Sequence, residues 1–496
     1  MSKLEEFIKN EGSAFPGKTY VEELLKPVFN DQRDFLFHVM FDIHRAHVIM
    51  LEEQNIIKTD EAREMLKGIN KVAMTDISQI SYQPQFEDLF FMMEAKIGEE
   101  IGSELAGKIH IGRSRNDMGV AMYRLVLREH FLELLQSAYR LSDALLEQAE
   151  QHTETYITGY THTQPAQPTT LGHYLLAIYD VLQRDIKRLW SAYEIVNQSS
   201  LGAAALTTTG FPICRTRTCE LLGFDKIIEN SYDSIGGADY LLETSSALMT
   251  CMVNTGRWIQ DFLQHVTREF GSFYVADPYV QVSSIMPQKR NPVSIEHSRS
   301  IASSAYGDAL AAMNMIHNTP FGDIVDTEDD LQPHLYRAFT NANRVMKLMH
   351  AVIKTLKVND EHTKKMANKS SVTITELADT LARDYDISFR KAHSVASYIS
   401  KKTISARKEL YEWKIDEIND MISGFVGVAL TEQEWKKIIS PEYFVEIRSI
   451  QGGPSPKEVV RMIGERKQKL EIHMEDYEGL VEKLMNQRTK LVEYSI

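Results

Sequence analysis

The sequence is poor in cysteine, in proline and in uninterrupted apolar runs, and each shortage excludes a class of protein. Three cysteines in 496 residues are too few, and odd in number, for a disulfide framework, so free thiols in a reducing cytoplasm are expected. No apolar stretch reaches about 18 residues, so no membrane-spanning segment is expected. The charged first residues lack the apolar run of a signal peptide.

Positive charge is also in deficit. There are 55 Lys and Arg residues against 69 Asp and Glu, for a formal net charge of −14. Nucleic-acid binding needs clustered Lys and Arg, so this balance disfavours a nucleic-acid partner. Hydrophobic residues at 43% and charged residues at 25% are typical of a globular protein, with length enough for roughly two to four domains.

The 14 prolines leave long intervals that permit long helices, because an interior proline removes a helical hydrogen bond and clashes with the preceding turn. Apolar residues within these intervals recur at spacings of three and four, which is a helical period. The three clearest sets are Leu127, Phe131, Leu134, Ala138, Leu141 and Leu145; Leu175, Tyr179, Leu182, Ile186, Leu189 and Tyr193; and Leu335, Phe339, Ala342, Val345, Met349, Val352 and Leu356. These sets predict helices of roughly 25 residues or more, packed against each other in a bundle.

Two soft boundaries divide the chain into three predicted helical domains. We place them near residues 112 and 365, which gives an N-terminal domain (1–112), a central bundle domain (113–365) and a C-terminal domain (366–496). A looser region rich in Lys, Thr and Asn is expected after Asn359, with periodicity resuming at Ile374. The segment from about Glu465 to Tyr494 is predicted to be a charged amphipathic helix over a packed stripe.

The segment from Ser283 to Glu296 reads SSIMPQKRNPVSIE. It predicts a loop leading into a helix that begins near Pro292, because proline suits the first turn of a helix. The N–H groups of that helix start, with Lys289 and Asn291, would bind an anion such as a carboxylate. By composition alone, the segment is equally compatible with a hydroxyl-rich surface loop.

A second segment, Gly112–Asp117, reads GRSRND before another long periodic stretch. Ser114 or Asn116 is suited to cap that helix. Its two arginines are suited to bind carboxylate in fork geometry. The alternative is a capped helix start stabilised by structural ion pairs.

A third segment, Gly159–Pro168, reads GYTHTQPAQP. Its prolines bias the preceding residues toward extended geometry, so we expect His162 in an extended stretch. An imidazole there can carry a proton near neutral pH, although a lone loop histidine is also compatible with an exposed, idle side chain.

The sequence contains no metal-ligand spacing, P-loop, GxGxxG or GxSxG pattern. The other histidines are scattered and are interpreted as packing or surface residues, including His44, His47, His110 and His173.

Together these motifs resemble the fumarase/aspartase superfamily. SSIMPQKRNP is similar to its signature loop, while GKIHIGRSRND (107–117), GYTHTQPAQP and LGAAALTTTGFPICR (201–215) resemble the argininosuccinate lyase branch within it. ELADTLARDYDISFRKAH (376–393) and SPEYFVEIRSIQGGPSP (440–456) resemble the same branch. The resemblance extends from about residue 40 to about residue 460.

The resemblance implies a fold and an assembly. The fold would be all-α, with three domains and a central bundle of long helices. Four copies would form a homotetramer around a helical core, with each site assembled from three chains. The loop that carries Ser283 would be mobile and would close over substrate.

The resemblance also implies an activity, β-elimination that cleaves a C–N bond of an N-substituted aspartate and releases fumarate, without metal or organic cofactor. Argininosuccinate would be the substrate, arginine the amine product and arginine biosynthesis the role. The difficult step is proton removal beside a carboxylate, which must then hold a second negative charge, and preorganised cationic groups lower that barrier.

Residue roles follow from the resemblance, position by position. Ser283 would be the base, and Lys289 and Asn291 would hold the charged intermediate. His162 would protonate the leaving nitrogen, oriented by Glu296. Family descriptions have also given the abstracted proton to the histidine, and the sequence does not decide between the two. The succinyl carboxylates would be bound by Ser114, Asn116 and Thr161, with Arg115 beside them.

The amine side departs from the branch. Its early DIxGSxAH pattern reads DIHRAH at 42–47, without the amino-acid-binding serine, and His44 lies nearest. Phe90 stands where the EDIH-type motif has its histidine, and GDIVDTEDD (322–330) replaces YNxDLQEDK. The DRD triplet reads GAD at 237–239, and the WGGRF motif is absent.

Lost polar partners cost about 1–3 kcal/mol each in recognition, so this departure bears on the substrate. The tract left behind is acidic and contains Asp323, Asp326, Glu328, Asp329 and Asp330. One hypothesis is therefore a different, cationic amine product. The alternative is a shifted alignment with a rearranged arginine pocket, and argininosuccinate stays the first substrate to test.

Two further alternatives remain. A non-catalytic structural protein on the same scaffold is disfavoured because Ser283, His162, Lys289, Asn291 and Glu296 are all present. A relative acting on adenylosuccinate is disfavoured by the segments 113–117 and 389–393.

Overall fold

The computed structural model describes residues 3–495, and the described chain is mostly helical. Its N-terminal part contains seven helices among the described residues, with short π-helical turns between α2 and α4. Their bounds are α1 (Lys3–Glu11), α2 (Lys18–Tyr20), α3 (Lys26–Asp31), α4 (Phe37–Glu53), α5 (Thr59–Ala73), α6 (Leu89–Ile101) and α7 (Ser103–Gly107).

The central part is built on long helices. The bounds are α8 (Arg115–Gln151), α9 (Leu171–Val196), α10 (Arg215–Leu221), α11 (Ser231–Gly236), α12 (Asp239–His265), α13 (Val293–Ile316), α14 (Gln332–Lys354) and α15 (Asp360–Ala367). Helices α8, α9, α12, α13 and α14 pack in that order in a closed ring, and α12 also contacts α14 across it. The ring is the predicted bundle.

The apolar periodicity explains this packing. Every residue of the three sets is buried, and the sets lie on α8, α9 and α14, with Leu356 just beyond the end of α14. In the described part of the chain, four helices have more than 25 residues: α8, α9, α12 and the C-terminal helix. The predicted long helices are confirmed.

Up to residue 495, the C-terminal part contains six helices with bounds α16 (Ile374–Asp384), α17 (Phe389–Ala406), α18 (Ile415–Ser423), α19 (Glu432–Ile438), α20 (Pro441–Glu446) and α21 (Pro456–Val492). Helices α16 to α19 enclose their own apolar cluster, whereas α21 packs back along α8 and α4. The division near residues 112 and 365 stays a prediction.

The prediction of a looser region after Asn359 was wrong over residues 360–367, which form α15. The Asn359 side chain accepts a hydrogen bond from the His362 N–H and caps the helix. Acidic residues lie in the first turn and lysines in the last, where they stabilise the helix dipole. Two of its residues, Thr363 and Ala367, are buried, and the helix packs against the strand Tyr156–Thr161.

Short strands connect some of the helices. They pair as β1 (Tyr156–Thr161) with β2 (Gln164–Thr170), β3 (Gln198–Ser199) with β4 (Lys226–Ile227), β5 (Phe273–Tyr274) with β8 (Lys357–Val358), and β6 (Gln281–Val282) with β7 (Arg290–Asn291). Only the β3–β4 pair is parallel. The predicted all-α class is confirmed, because most of these strands have two residues and support loops. Within residues 3–495, no helix combines the length and hydropathy needed to cross a bilayer.

Candidate active site

The loop that begins with Ser283 is closed at its base by two paired strands. Gln281 lies opposite Asn291 and Val282 opposite Arg290 in the β6–β7 ladder. The Arg290 guanidinium lies 2.5 Å from an oxygen of Asp277 and donates to the Val275 carbonyl oxygen. The ladder and these contacts fix the base of the loop, while its tip is exposed.

Ser283 has a local environment that suits a base. Its Oγ accepts hydrogen bonds from the backbone N–H groups of Met286, at 3.1 Å, and Ile285, at 3.4 Å. Hydrogen bonds donated to an oxygen stabilise its anionic form. The loop therefore already provides two donors for an alkoxide at Ser283.

Three of the predicted residues line one cavity of about 890 Å3 beside this loop: Lys289, Asn291 and Glu296. Glu296 lies in the first turn of α13, which begins directly after Pro292, as predicted. The remaining wall includes Gln264 and Arg299. The cavity thus combines an ammonium, an amide and a carboxylate within the size range of small-molecule sites.

Thr161 and His162 lie at the tip of the β1–β2 hairpin. The prediction of extended geometry at His162 was wrong: φ is 50° at His162 and 62° at Thr163, so both occupy the left-handed region. Two such residues make the tight turn that a two-residue hairpin requires. The prolines do fix extended backbone, but in β2, after the turn.

The tip of this hairpin is exposed. Thr163 donates its hydroxyl to the His162 carbonyl oxygen. Among residues 3–495, the His162 imidazole has no hydrogen-bond or ion-pair partner. A left-handed backbone at a residue with a side chain is strained, and strain of this kind concentrates at functional sites.

Ser114 caps α8, as predicted. Its side chain accepts from the Asn116 N–H, and Asp117 bonds back to the Ser114 N–H to complete a capping box. The second Asp117 oxygen accepts from the N–H groups of Gly202 and Ala204. This buried carboxylate therefore joins the helix start to the 201–215 segment.

Arg115 and Asn116 line a second cavity, of about 300 Å3. Arg115 forms an ion pair with Asp88 at 2.9 Å and lies over the Phe91 ring, so its charge is already partnered within the chain. The Asn116 amide donates to Asp323 at 2.6 Å. The cavity contains the acidic residues Glu87, Asp88, Asp323, Glu328, Asp329 and Asp330.

These carboxylates are crowded. Burial, then the hydrogen bond with Asp323 and the charge of Asp329, raise the pKa of Glu328 to about 8. Burial also raises the pKa of Asp329, despite hydrogen bonds from Gln32 and Tyr123. The crowding therefore favours the protonated form of Glu328 in the absence of a cation.

The predicted residues lie at two ends of the bundle. Helix α8 has 37 residues and is therefore about 55 Å long. Ser114 caps its start, whereas the β1–β2 hairpin follows its end. The Tyr160 ring contacts Phe270 and His265, which adjoin the end of α12.

The end of α12 leads into the Ser283 loop, so the hairpin and this loop share one end. We call it the loop end; it holds Thr161, His162, Ser283, Lys289, Asn291 and Glu296. The opposite end, which we call the cap end, holds Ser114, Arg115 and Asn116. One chain alone does not bring the two groups together.

Sequence reasoning missed the partners of these residues. Asp117 belongs to the GRSRND motif, but the motif does not indicate its partners, and Gln32 and Tyr123 lie outside every motif. Asn116, Gly119 and Tyr123 are spaced by three and four residues, so a helix that begins at Ser114 places Tyr123 on the same face as Asn116. Nothing in the sequence indicates that Tyr123 contacts Asp329. Within residues 3–495, no group of three or more His, Cys, Asp or Glu residues is arranged to hold a metal ion.

Comparison with known proteins identifies two family models. Residues 28–307 match the lyase family and residues 371–446 match the argininosuccinate lyase C-terminal family. Argininosuccinate lyase 2 of Agrobacterium fabrum is 39% identical over 452 residues, 90% of each chain. Argininosuccinate lyase of Methanocaldococcus jannaschii is 34% identical, covering 94% of this chain and 95% of the relative.

Solved structures agree with these matches. An EDDS lyase variant with bound fumarate superposes with a TM-score of 0.84 at 29% identity, covering 94% of both chains. The 3-carboxy-cis,cis-muconate lactonizing enzyme of Pseudomonas putida has a TM-score of 0.72 at 16% identity, covering 91% of this chain and 99% of that one. The second likeness concerns the fold alone.

Proposed function

This chain belongs to the argininosuccinate lyase family, and on that premise we propose that it is a carbon–nitrogen lyase that cleaves an N-substituted aspartate to fumarate and an amine. Argininosuccinate is the first substrate, with arginine as the amine product. The observation that carries the proposal is the Ser283 loop, whose hydroxyl accepts two backbone N–H bonds beside a cavity with Lys289, Asn291 and Glu296.

The proposed chemistry proceeds in two steps. Ser283 removes the proton from the carbon beside a carboxylate, and the C–H electron pair moves into that carboxylate. Lys289 and Asn291 stabilise the additional charge there. The electron pair then returns to form the double bond of fumarate while the C–N bond breaks, and His162 protonates the departing nitrogen.

The remaining residues bind and orient. Ser114, Asn116 and Thr161 are proposed to hold the carboxylates of the succinyl part, and Glu296 to orient His162. Arg115 would act indirectly in this scheme, because Asp88 already partners its guanidinium. The exchange of roles between Ser283 and His162 is the alternative proton assignment.

The same proposal includes a homotetramer with shared sites. The cap end and the loop end of one chain are separated along α8, so a site that uses Asn116 together with Ser283 needs at least two chains packed antiparallel. Symmetric assembly places such ends together repeatedly. We also propose a cytoplasmic location, which the three free cysteines support.

A second candidate substrate is supported by the cavity at the cap end. Six acidic side chains surround it and Arg115 is its basic member, while Asn116 links it directly to the succinyl-binding group. The departures at 42–47 and 322–330 favour an amine other than arginine, and a cationic one would compensate these carboxylates and displace the Glu328 proton. Spermidine-like and diamine adducts of fumarate are the corresponding substrates.

The decisive assay is turnover of argininosuccinate, followed by fumarate absorbance. Activity comparable to that of a biosynthetic lyase supports argininosuccinate and contradicts the second candidate. If argininosuccinate is not cleaved, the reverse reaction of fumarate with a panel of amines, assayed for adduct by mass, identifies the amine. Failure of every amine would contradict the lyase proposal.

Ser283→Ala tests the mechanism. We expect turnover of the cleaved substrate to fall by about a hundredfold to ten-thousandfold, as for removal of a positioned base, with the fold intact by circular dichroism. Ser284→Ala, one residue along the same exposed loop, is the matched control. Equal activities of the two variants would remove Ser283 from the mechanism.

A further inference from the structure

The carboxamide of Asn116, at the start of α8, is held from both of its sides. Its Nδ2 donates to an oxygen of Asp323 at 2.6 Å, and its Oδ1 accepts from the Ser114 hydroxyl at 3.0 Å. An ionised carboxylate only accepts hydrogen bonds, so the Asn116 atom beside Asp323 is the nitrogen. The two contacts therefore fix which side of the carboxamide carries the donor.

This arrangement leaves one amide hydrogen of Asn116 free. An asparagine nitrogen carries two hydrogens, and Asp323 accepts one of them. Among residues 3–495, Nδ2 has no second acceptor. Because the carboxamide is planar, the bond to Asp323 also fixes the direction of the remaining N–H. The Asn116 side chain is accessible at the cap-end cavity, the one of about 300 Å3, so a ligand can reach this donor.

Asp323 is placed by the segment around it. The hydroxyl of Tyr232, in α11, donates to the Phe321 carbonyl oxygen at 3.2 Å, and the two rings stack. Gly236 of the same helix permits a close approach, since a Cβ there would lie 3.2 Å from the backbone nitrogen of Gly322. The carboxylate is therefore carried by a segment anchored on α11 rather than by a free loop.

On its other side, Asp323 is hydrogen-bonded to the Glu328 carboxyl. Two carboxyl groups share such a bond only when one of them is protonated. Burial, this bond and the charge of Asp329 raise the pKa of Glu328 to about 8, which leaves Asp323 as the accepting partner. Its carboxylate is thus held between a donor on Glu328 and the donor on Asn116.

The negative charge of Asp323 has a second effect, of opposite sign. It repels the carboxylate of a ligand bound by Asn116, whereas the hydrogen bond orients the donor toward that carboxylate. Asp323 is exposed, so solvent and salt screen its charge. The hydrogen bond acts at contact distance and is not screened in this way. The two effects predict opposite results when the carboxylate is removed.

We propose that Asp323 is a positioning residue for the succinyl group: its carboxylate orients the Asn116 carboxamide so that the free N–H is directed at a carboxylate of the substrate. The inference rests on the proposed function, in which Asn116 binds the succinyl part. It adds that one member of the acidic tract acts on the succinyl side, through Asn116, rather than on the amine. Fumarate carries the succinyl carboxylates without the amine and is therefore the probe.

The test is calorimetric titration of the full-length protein with fumarate. Asp323→Ala removes the acceptor, and we expect fumarate binding to weaken about fivefold to tenfold, as for the loss of one hydrogen bond to a charged group. Asp323→Asn keeps an acceptor oxygen of the same shape without the charge, so its affinity should stay within about twofold of wild type or increase. Asp326→Ala, in the same exposed tract but outside the cavity lining, is the matched control and should leave the affinity unchanged.

A double-mutant cycle tests whether the effect of Asp323 passes through Asn116. In the Asn116→Ala background, Asp323→Ala should not weaken fumarate binding further, because no carboxamide is left to orient. A further loss of about fivefold in that background would overturn the proposal, since Asp323 would then act independently of Asn116.

Unchanged or tighter fumarate binding in Asp323→Ala would also overturn the proposal, because repulsion would then outweigh orientation. Equal losses in Asp323→Ala and Asp323→Asn would do the same, since the acceptor oxygen would not be the group that matters. These outcomes concern a wild-type protein that binds fumarate. Wild-type protein that binds no fumarate would contradict the proposed function, in which fumarate is a product held at this site, and this inference with it.

Discussion

Glu328 is a buried carboxyl in the cap-end cavity whose pKa is raised by its neighbours. Its carboxyl is crowded by Asp323 and Asp329, with Arg115 as the one opposing charge in the set that shifts its pKa. With a pKa of about 8, it stays neutral until a cation arrives. The charge of Glu328 therefore depends on whether a cation is bound in the cap-end cavity.

This shift predicts a pH dependence of stability. The ordinary value for a glutamate is 4.5, so between about pH 4.5 and pH 8 the folded protein binds more protons than the unfolded chain. The free energy of unfolding should therefore fall as pH rises through this interval. Glu328→Gln should lose that part of the dependence, as measured by urea unfolding at several pH values.

Other carboxyls with raised pKa contribute at lower pH, including Asp185 at about 6. The difference between the wild-type and Glu328→Gln curves isolates Glu328. Parallel curves across the whole interval would show that Glu328 does not hold the proton.

At the scale of single residues, sequence reasoning located the candidate groups but not their surroundings. Ser114 as a cap follows from its position before a periodic stretch. The two N–H groups that donate to Ser283 are positioned by the conformation of its loop. The hydrogen bond from Asn116 to Asp323 is a tertiary contact between residues 207 positions apart in sequence. No local pattern encodes such a contact.

At the scale of elements, the start of α8 is held by one buried carboxylate. Asp117 accepts N–H groups from its own helix start and from the segment that contains Gly202. Two motifs far apart in sequence, GRSRND and LGAAA, thereby form one unit. The motif order alone did not show this connection.

Asp117→Asn should destabilise the protein by about 1–3 kcal/mol, because an amide nitrogen replaces one acceptor and leaves buried N–H groups unpaired. Urea unfolding measures the change. Asp143→Asn, at an exposed position of the same helix, is the control and should be nearly neutral. Equal effects of the two substitutions would show that the Asp117 network contributes nothing.

The β1–β2 hairpin shows why its turn was not predicted. Proline restricts the residue before it, and this correctly favours extended backbone before Pro165 and Pro168. His162 and Thr163 lie earlier, and their left-handed conformation is imposed by the two-residue connection between paired strands. The residue types at positions 162 and 163, histidine and threonine, do not by themselves predict a left-handed conformation.

Thr163→Gly should stabilise the folded state by about 0.5–1 kcal/mol, since relief of the left-handed strain exceeds the entropy cost of glycine. Gln164→Gly, at an exposed strand position in the same hairpin, should destabilise it instead. Chemical unfolding of both variants checks the pair. A loss of stability in Thr163→Gly would mean that the turn is not strained.

At the scale of the whole molecule, helical periodicity was sufficient to predict the bundle. Long amphipathic stripes have few ways to bury their apolar faces other than against each other. The placement of α21 along α8 was not predictable in this way, because its apolar stripe indicates that one face is buried but does not identify the helix it packs against. The separation of candidate residues to opposite ends followed only from the order of helices in the bundle.

That separation predicts complementation between inactive variants. Asn116→Ala and Ser283→Ala each damage every site, but a mixed assembly contains sites that take Asn116 and Ser283 from undamaged ends of different chains. Random mixing should restore about a quarter of wild-type activity. Activity is measured after joint refolding or co-expression of the two variants.

The control mixes two single variants that are damaged at the same end of the bundle. A mixture of Ser283→Ala with Lys289→Ala, both at the loop end, should stay inactive because no site escapes damage. Recovery in that mixture, or none in the first, would contradict sites shared between the ends.

The length of α8 carries an evolutionary consequence. Each residue inserted into or deleted from α8 would rotate the residues that follow it by about 100° and shift them by about 1.5 Å. The loop end of one chain would then no longer align with the cap end of a neighbouring chain. In proteins descended from this chain, insertions and deletions should therefore be tolerated in the surface loops. The number of residues in α8 should stay almost constant, because the reaction depends on it.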